Sequence, residues 1–227
     1  MGFFDLDGPR LPPAAGGAPD SLVVLLHGLG ADGDDLIGLA PYWAKALPRT
    51  AFVSPHAPFP CDMAPMGRQW FSLQEREPHA IAAGVEEGLQ HRRRGLDAEI
   101  ERHALSADRV ALVGFSQGTM MALFVGLRRK GGVAAIVGYS GALVGADRLA
   151  AEAVAKPPVL LVHGDADPIV PFGAMAAAEA ALREAGIPVT TERRAGLPHS
   201  IDEVGLIKGG QFLVGHLPAR AAAVTRP

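Results

Sequence analysis

The stretch at 111–122, Ala-Leu-Val-Gly-Phe-Ser-Gln-Gly-Thr-Met-Met-Ala, constrains the fold of this chain more than any other. It predicts a buried strand, a sharp turn and a buried helix, with Ser116 at the turn. Gly114 and Gly118 flank this serine in a G-x-S-x-G pattern, which permits the strained backbone that exposes a hydroxyl at the end of a parallel strand. A chance turn would show the same glycines, but the apolar segments on both sides favour the strand-turn-helix interpretation.

Segments of strand and helix length alternate along the rest of the chain. Apolar strands are predicted at 22–26, 50–54, 109–113, 133–139, 159–163 and 189–193. Besides the helix after Ser116, helices are predicted at 34–47, 79–105, 172–185 and 200–216. This alternation predicts an α/β fold with a mostly parallel central sheet and helices on both faces.

The chain of 227 residues is long enough to bury a substantial core, and we expect one domain over 1–227. A Pro/Ala/Gly-rich lead-in occupies residues 1–20, and residues 218–227 are expected to form a frayed tail. Residues 55–78 show no clear period. Because loops of this length in compact domains are usually functional, we predict that this one lines a pocket.

Charge and cysteine content exclude several classes of partner and site. A net charge of −3 gives no polyelectrolyte surface, so nucleic acid is not an expected partner. Cys61 is the only cysteine, so it cannot form an intramolecular disulfide and is predicted to be an unreactive loop thiol. The chain begins without the apolar core of a secretory signal and lacks a run of about twenty apolar residues. We therefore expect a cytoplasmic protein without stable membrane insertion.

A serine hydroxyl is a weak nucleophile at neutral pH and needs a base, which in turn needs an acid to orient it. In hydrolases built on a parallel sheet the order is Ser, then Asp or Glu, then His, each after a strand. Only His199 follows the last predicted strand and precedes the last predicted helix, so it is the predicted base. His163 and His216 are predicted to be structural or surface histidines.

Two aspartates compete for the role of the acid. Asp165 and Asp167 both lie just beyond the strand predicted at 159–163, and spacing alone does not separate them. Pro168 slightly favours Asp167, because it fixes the loop and prepares the next helix. The other aspartate would then be a turn residue that accepts hydrogen bonds from nearby backbone amides.

Backbone N–H groups must stabilise the oxyanion that forms when serine attacks a carbonyl. The usual donors are the residue after the nucleophile and a residue of an early strand-helix loop, here Gln117 and Leu29. The glycines of His-Gly-Leu-Gly at 27–30 would let these N–H groups turn inward.

Four segments in this order resemble the motifs of the phospholipase/carboxylesterase family, which includes acyl-protein thioesterases and small bacterial carboxylesterases. They are LHGLGADG at 26–33, GFSQG at 114–118, HGDADPIVP at 163–171 and LPHS at 197–200. The resemblance extends over about residues 20–215. It implies an α/β-hydrolase fold with a minimal lid, and a serine hydrolase that cleaves carboxylic esters or thioesters through an acyl-serine intermediate.

The resemblance also assigns site residues. It implies Ser116, Asp167 and His199 as the catalytic triad, which settles the choice of acid in favour of Asp167. Leu29 and Gln117 become the oxyanion donors, and neither a metal nor an organic cofactor is expected. The expected partner is a small acyl ester or thioester, and the family also allows a homodimer.

The segment GRQWFS at 67–72 is similar to an element that family members place beside the acyl pocket. Trp70 is therefore a candidate pocket wall and Phe71 a second one. Trp70 could equally anchor the loop to the core, and for Phe71 the anchoring role is favoured. Met63 and Met66 could extend an adaptable apolar lining, although a role in simply filling the loop is favoured. Thr119-Met120 departs from the glycine and small residue that usually follow the motif, which changes the packing behind Ser116.

Two other functions fit parts of the pattern. A ligand-binding pseudo-hydrolase would keep the pocket without turnover, but the intact set of catalytic roles argues against it. A dienelactone-type hydrolase would more often carry cysteine in place of Ser116, and a peptidase would usually have an extra domain.

Overall fold

A computed structural model describes residues 6–75 and 77–217 of the chain, so the predicted tail at 218–227 lies outside the described residues. The strands are β1 (Arg10–Leu11), β2 (Ser21–Leu26), β3 (Thr50–Val53), β4 (Phe59–Pro60), β5 (Arg68–Gln69), β6 (Val110–Phe115), β7 (Ala135–Tyr139), β8 (Val159–Gly164) and β9 (Val189–Arg194). The helices are α1 (Gly33–Leu36), α2 (Ala40–Ala44), α3 (Pro78–Arg102), α4 (Gln117–Arg128), α5 (Leu149–Glu152), α6 (Gly173–Glu184) and α7 (Glu203–His216).

The central sheet has seven strands in the order β1-β3-β2-β6-β7-β8-β9. β1 pairs with β3 in the antiparallel direction, and every other neighbouring pair is parallel. Leu26 at the end of β2 lies beside Gly114, and Phe115 at the end of β6 lies beside Tyr139. The carboxyl ends of these strands therefore meet at one edge, and the prediction of a mostly parallel sheet is confirmed.

Helices cover both faces of the sheet, as predicted. Val24 belongs to one apolar cluster and its neighbour Val23 to the other, because successive side chains of a strand point to opposite faces. Helices α3, α4 and α6 complete the first cluster, with Leu96, Met121 and Leu182 among its members. Helices α1, α2 and α7 complete the second, with Leu36, Trp43 and Leu213. No helix in the described ranges is long and apolar enough to cross a bilayer.

The structure differs from the sequence predictions in three places: the first helix, the 55–78 loop, and the lead-in, which contains β1. The helix predicted at 34–47 is divided into α1, a 3-10 turn at 37–39 and α2, because Pro41 has no N–H to continue the ladder from the preceding turn. The loop at 55–78 contains a small antiparallel hairpin of β4 and β5. Strands of two residues, including β1, are too short to produce a visible hydrophobic period.

Candidate active site

Ser116 lies in the turn between β6 and α4, at φ 55° and ψ −117°. This backbone region is strained for a residue with a side chain. The two glycines of the motif are sterically required. A Cβ on Gly114 would lie 2.4 Å from the carbonyl carbon of Gly118, and a Cβ on Gly118 would lie 1.8 Å from the carbonyl oxygen of Leu26. Strand and helix therefore approach each other closely at this turn, and Ser116 itself is only 8% exposed.

The loop after β2 reaches the same turn. A Cβ on Gly28 would lie 3.2 Å from the ring of Phe115 and 3.5 Å from the Cβ of Ser116, so this loop runs directly beside the serine. The next residue is Leu29. Within the described ranges, no hydrogen-bond acceptor contacts the backbone N–H of Leu29 or of Gln117, the first residue of α4. A helix N-terminus also carries a partial positive charge, which suits an anion.

His199 lies in the loop between β9 and α7, and its imidazole contacts Asp167. The distance from its Nδ1 to Oδ2 of Asp167 is 2.7 Å. Because an ionised carboxylate only accepts, Nδ1 is the donor, and in the neutral imidazole Nε2 then has a free lone pair. The ring of His199 also packs on Phe115, with centroids 4.8 Å apart. This contact places the imidazole beside the residue that precedes Ser116.

Asp167 is held in its ionised form by its hydrogen bonds. Burial raises its pKa, but the hydrogen bonds from His199 and from the N–H groups of Val170 and Ile169 outweigh burial, so its pKa lies below the ordinary value. The two backbone donors reach Oδ1 at 2.9 and 2.8 Å. The other oxygen remains directed at the imidazole.

The competing aspartate has different partners. Asp165 is paired with Arg193 at 2.6 Å and accepts a hydrogen bond from the N–H of Gly196 at 2.7 Å. The hydrogen bond with Arg193, together with that from Gly196, lowers the pKa of Asp165. This residue therefore ties the end of β8 to β9 and to the turn that follows β9.

The side chain of Gln117 has a role that the sequence analysis missed. Its Oε1 accepts a hydrogen bond from the N–H of Trp70 at 2.9 Å, and its Nε2 donates to the carbonyl of Phe71 at 2.8 Å. Trp70 in turn donates its indole N–H to the carbonyl of His27 at 2.7 Å. The only signal in the sequence was an amide residue at the start of an otherwise apolar helix.

The β4–β5 hairpin is joined to the loop that carries Leu29. The N–H of Gly30 donates to the carbonyl of Arg68 at 2.9 Å, and the N–H of Arg68 donates to the carbonyl of Ala31 at 2.9 Å. A Cβ on Gly67 would lie 2.0 Å from the carbonyl oxygen of Gly30. The guanidinium of Arg68 also donates to the carbonyl groups of Ala57 and Pro58.

The predicted pocket residues occupy three different environments. Trp70 is fully buried in the core beside a residual cavity of about 20 Å³. Phe71 borders a larger cavity of about 560 Å³, which lies between the 55–78 loop and α3 and is also lined by Phe59, Gln69, Gln74 and Glu75. Met63 is 50% exposed and Met66 80% exposed.

Thr119, one of the two residues that depart from the family pattern, braces the nucleophile turn. Its hydroxyl lies 2.8 Å from the carbonyl of Gly114 and 2.8 Å from that of Tyr139, so it links the ends of β6 and β7. Its side chain also fills the space next to Gly138, where a Cβ would lie 2.5 Å from its methyl group.

One group of side chains has the composition of a metal site. Atoms of Asp32, Asp34 and His56 that could ligate a metal lie within 4.8 Å of one another. However, Nδ1 of His56 accepts the N–H of Gly33 at 3.1 Å, and one carboxylate oxygen of Asp32 accepts the N–H of Asp34 at 3.0 Å. These hydrogen bonds are those of a helix N-terminus, because Asp32 caps α1.

The chain is similar to known thioesterases and esterases. Acyl-protein thioesterase 1 of Neurospora crassa is 30% identical over 230 residues, which cover 92% of this chain and 92% of that protein. Esterase YpfH of Escherichia coli is 28% identical over 196 residues, covering 86% and 81%. Among solved structures, esterase PE8 superimposes with a TM-score of 0.88 at 41% identity, over 92% of this chain and 98% of that one. The sequence profile of the phospholipase/carboxylesterase family matches residues 14–217, and the chain therefore belongs to this family of α/β-hydrolases.

Proposed function

We propose that this protein hydrolyses carboxylic esters or thioesters through an acyl-serine intermediate, with Ser116, His199 and Asp167 as the catalytic triad. Esterases and acyl-protein thioesterases among its relatives support the reaction class. The observation that carries the residue assignment is the 2.7 Å contact between His199 and Asp167, made by an imidazole that packs against the neighbour of Ser116.

The proposed chemistry follows from the proton on Nδ1 of His199. Nε2 takes the proton of the Ser116 hydroxyl as its oxygen attacks the acyl carbon, and Asp167 stabilises the imidazolium that results. The imidazolium then protonates the departing alcohol or thiol. In the second half of the reaction Nε2 takes a proton from a water molecule as the water oxygen attacks the acyl carbon. The imidazolium returns this proton to the oxygen of Ser116 as the carboxylic acid leaves, which restores the free enzyme.

The N–H groups of Leu29 and Gln117 are the proposed oxyanion donors. Two features support them: neither group has an acceptor within the described ranges, and Gln117 begins α4. Because these donors are fixed before the reaction, the developing negative charge requires no reorganisation of the site.

For the substrate we propose an acyl group that lies against the 55–78 loop. Phe71 borders the 560 Å³ cavity on one side of this loop, while Met63 and Met66 offer flexible apolar surface at its exposed tip. Trp70 would support this wall from the core, because its side chain is fully buried. A series of p-nitrophenyl esters and acyl-thioesters of increasing chain length measures which acyl group is preferred.

A fluorophosphonate probe tests the nucleophile directly. We expect the wild-type protein to be labelled and Ser116→Ala to lose both labelling and hydrolysis of p-nitrophenyl esters while it keeps its melting temperature. Ser106→Ala, a substitution ahead of the amino end of β6, is the matched control and should be labelled normally.

Retained labelling of Ser116→Ala would place the nucleophile elsewhere. A wild-type protein that is neither labelled nor active would instead support the pseudo-hydrolase. A cytoplasmic location and a homodimer stay predictions, which fractionation of cells and the mass of the protein in solution would test.

A further inference from the structure

His163 lies at the carboxyl end of β8, four residues before Asp167 in the chain, and is only 2% exposed. Its ring packs edge-on against Phe172, with centroids 6.0 Å apart and an angle of 83° between the planes. The sequence predicted a structural or surface histidine here. The structure shows that it is buried beside the carboxylate that His199 contacts.

The environment of Nε2 fixes where the proton of His163 resides. Nε2 lies 2.9 Å from the carbonyl oxygen of Val170 and 3.3 Å from Oδ2 of Asp167. A carbonyl and an ionised carboxylate both accept and neither donates. Nε2 therefore carries a hydrogen, which it donates to the carbonyl of Val170. The partial positive charge of this N–H group lies beside Oδ2 of Asp167.

This arrangement closes the turn that carries Asp167. Oδ1 of Asp167 accepts the N–H groups of Ile169 and Val170, and the carbonyl of Val170 accepts the N–H of His163. Oδ2 lies between two imidazoles, 2.7 Å from Nδ1 of His199 and 3.3 Å from Nε2 of His163. Rotation of the carboxylate would break contacts on both of its oxygens.

We propose that His163 is a positioning residue, which holds the Asp167 carboxylate in the orientation that His199 requires. The proposal rests on the proposed function, since it assigns a role within the same triad. Its polar and ring contacts within the described part of the chain are with Asp167, Val170 and Phe172, so it would act through Asp167 and not directly on Ser116 or the substrate. Its N–H, rather than its bulk, is the functional group.

Two variants of His163 distinguish the contribution of its N–H group from that of its ring. His163→Phe keeps a ring of similar size against Phe172 but removes the donor, while His163→Gln keeps a terminal N–H donor. We expect kcat on a p-nitrophenyl ester to fall about tenfold or more in His163→Phe with KM within about twofold, because a misplaced triad lowers the rate without altering binding. His163→Gln should recover most of this loss.

Phe172→Leu is the matched control for packing, since it loosens the contact with the ring but leaves the N–H in place. It should retain a kcat close to that of the wild type. An equal fall of kcat in Phe172→Leu and His163→Phe, or no recovery in His163→Gln, would assign His163 to packing alone. A wild-type kcat in folded His163→Phe would equally overturn the proposal.

Proton NMR of the ring N–H groups supplies a readout that does not depend on turnover. The Nδ1 proton of His199, assigned by its loss in His199→Ala, should shift in His163→Phe and return toward its wild-type position in His163→Gln. An unchanged resonance in both variants contradicts the proposal. If the wild type is neither labelled by fluorophosphonate nor active, the proposed function fails, whereas this NMR comparison still tests the positioning of Asp167.

Discussion

At the scale of single residues, Gly114 and Gly118 are required beside Ser116 because a side chain at either position would overlap neighbouring backbone atoms. The requirement is steric and does not depend on flexibility of the turn. The Cβ of any larger residue at position 118 would overlap the carbonyl of Leu26, which belongs to the strand beside β6. Relief of this overlap requires movement of either α4 or β2. Both elements carry or adjoin the proposed catalytic groups, so steric strain and loss of activity should occur together.

Gly118→Ala should therefore lower the melting temperature strongly and abolish ester hydrolysis, because overlap with backbone cannot be relieved by rotation of a side chain. Gly215→Ala in α7 is the matched control, since a Cβ there meets nothing within 4 Å. It should leave activity unchanged and should not lower the melting temperature, because alanine has a higher helix propensity than glycine. Thermal unfolding and an esterase assay measure both effects, and an active Gly118→Ala would refute the steric argument.

The lowered pKa of Asp167 makes stability depend on pH. The folded state releases the proton of this carboxyl more readily than the unfolded chain, so its contribution to stability is fully present above the ordinary aspartate pKa. The contribution is lost as the pH falls through the lower pKa of the folded state.

We expect Asp167→Asn to melt at a lower temperature than the wild type at neutral pH, with a difference that shrinks as the pH is lowered through the acidic range. Melting curves of both proteins from pH 7 down to the acid transition measure this difference. If the difference in melting temperature stays constant down to strongly acidic pH, ionisation of Asp167 does not contribute to the stability of the folded state.

At the scale of elements, Gln117 connects α4 to the 55–78 loop through two buried hydrogen bonds. Gln117→Ala removes both but keeps the backbone N–H proposed for the oxyanion. We expect a loss of about 1–3 kcal/mol in stability, faster proteolysis within the loop, and a fall in kcat/KM of roughly 10- to 100-fold as the pocket wall shifts.

Gln74→Ala serves as the control for this experiment, because Gln74 lies on the same loop with an exposed side chain. It should change neither the proteolysis pattern nor the melting temperature. If Gln117→Ala is cleaved no faster than the wild type, the side chain of Gln117 is not what holds the loop.

The sequence predicted the long buried elements well, because their apolar runs have a clear period. β2, β6, β7 and β8 are all fully or almost fully buried, and the order of the motifs placed His199 between the last strand and the last helix. Short elements carried no such signal. The hairpin at 59–69 and the two-residue β1 depend on contacts with distant segments of the chain.

The side-chain contacts of the site also could not be predicted from the sequence. Spacing left Asp165 and Asp167 equivalent, and only the fold turns one toward Arg193 and the other toward His199. The contact of His163 with the same carboxylate depends on how the 167–170 turn folds back on the end of β8. A pattern of residue types does not contain that information.

At the scale of the whole molecule, the proposed catalytic groups gather at one end of the sheet. Leu29 follows β2, Ser116 follows β6, Asp167 follows β8 and His199 follows β9. Because these strands are parallel, their carboxyl ends lie at the same edge. None of these four residues lies at the amino ends of the strands, so we expect side chains there to affect stability rather than the reaction.

A substitution of Arg49 tests whether the amino ends of the strands affect stability without affecting the reaction. At the amino end of β3 its guanidinium pairs with the buried carboxylate of Asp20, at 2.5 and 3.0 Å. Arg49→Ala should lower the melting temperature by a few degrees and leave kcat/KM unchanged, whereas the exposed Lys45→Ala should alter neither. A changed kcat/KM in folded Arg49→Ala would show that the two ends of the sheet are coupled.

The β4–β5 hairpin has a consequence for how this protein tolerates heat. Through Gly30 and Ala31 it holds the loop that carries Leu29, and the residues that follow β5 are held by the side chain of Gln117. Its two strands pair over only two residues each, whereas neighbouring parallel strands of the central sheet pair over four to six. Warming should therefore loosen the hairpin first. We expect the protein to lose its hydrolytic activity reversibly at temperatures at which the central sheet is still folded.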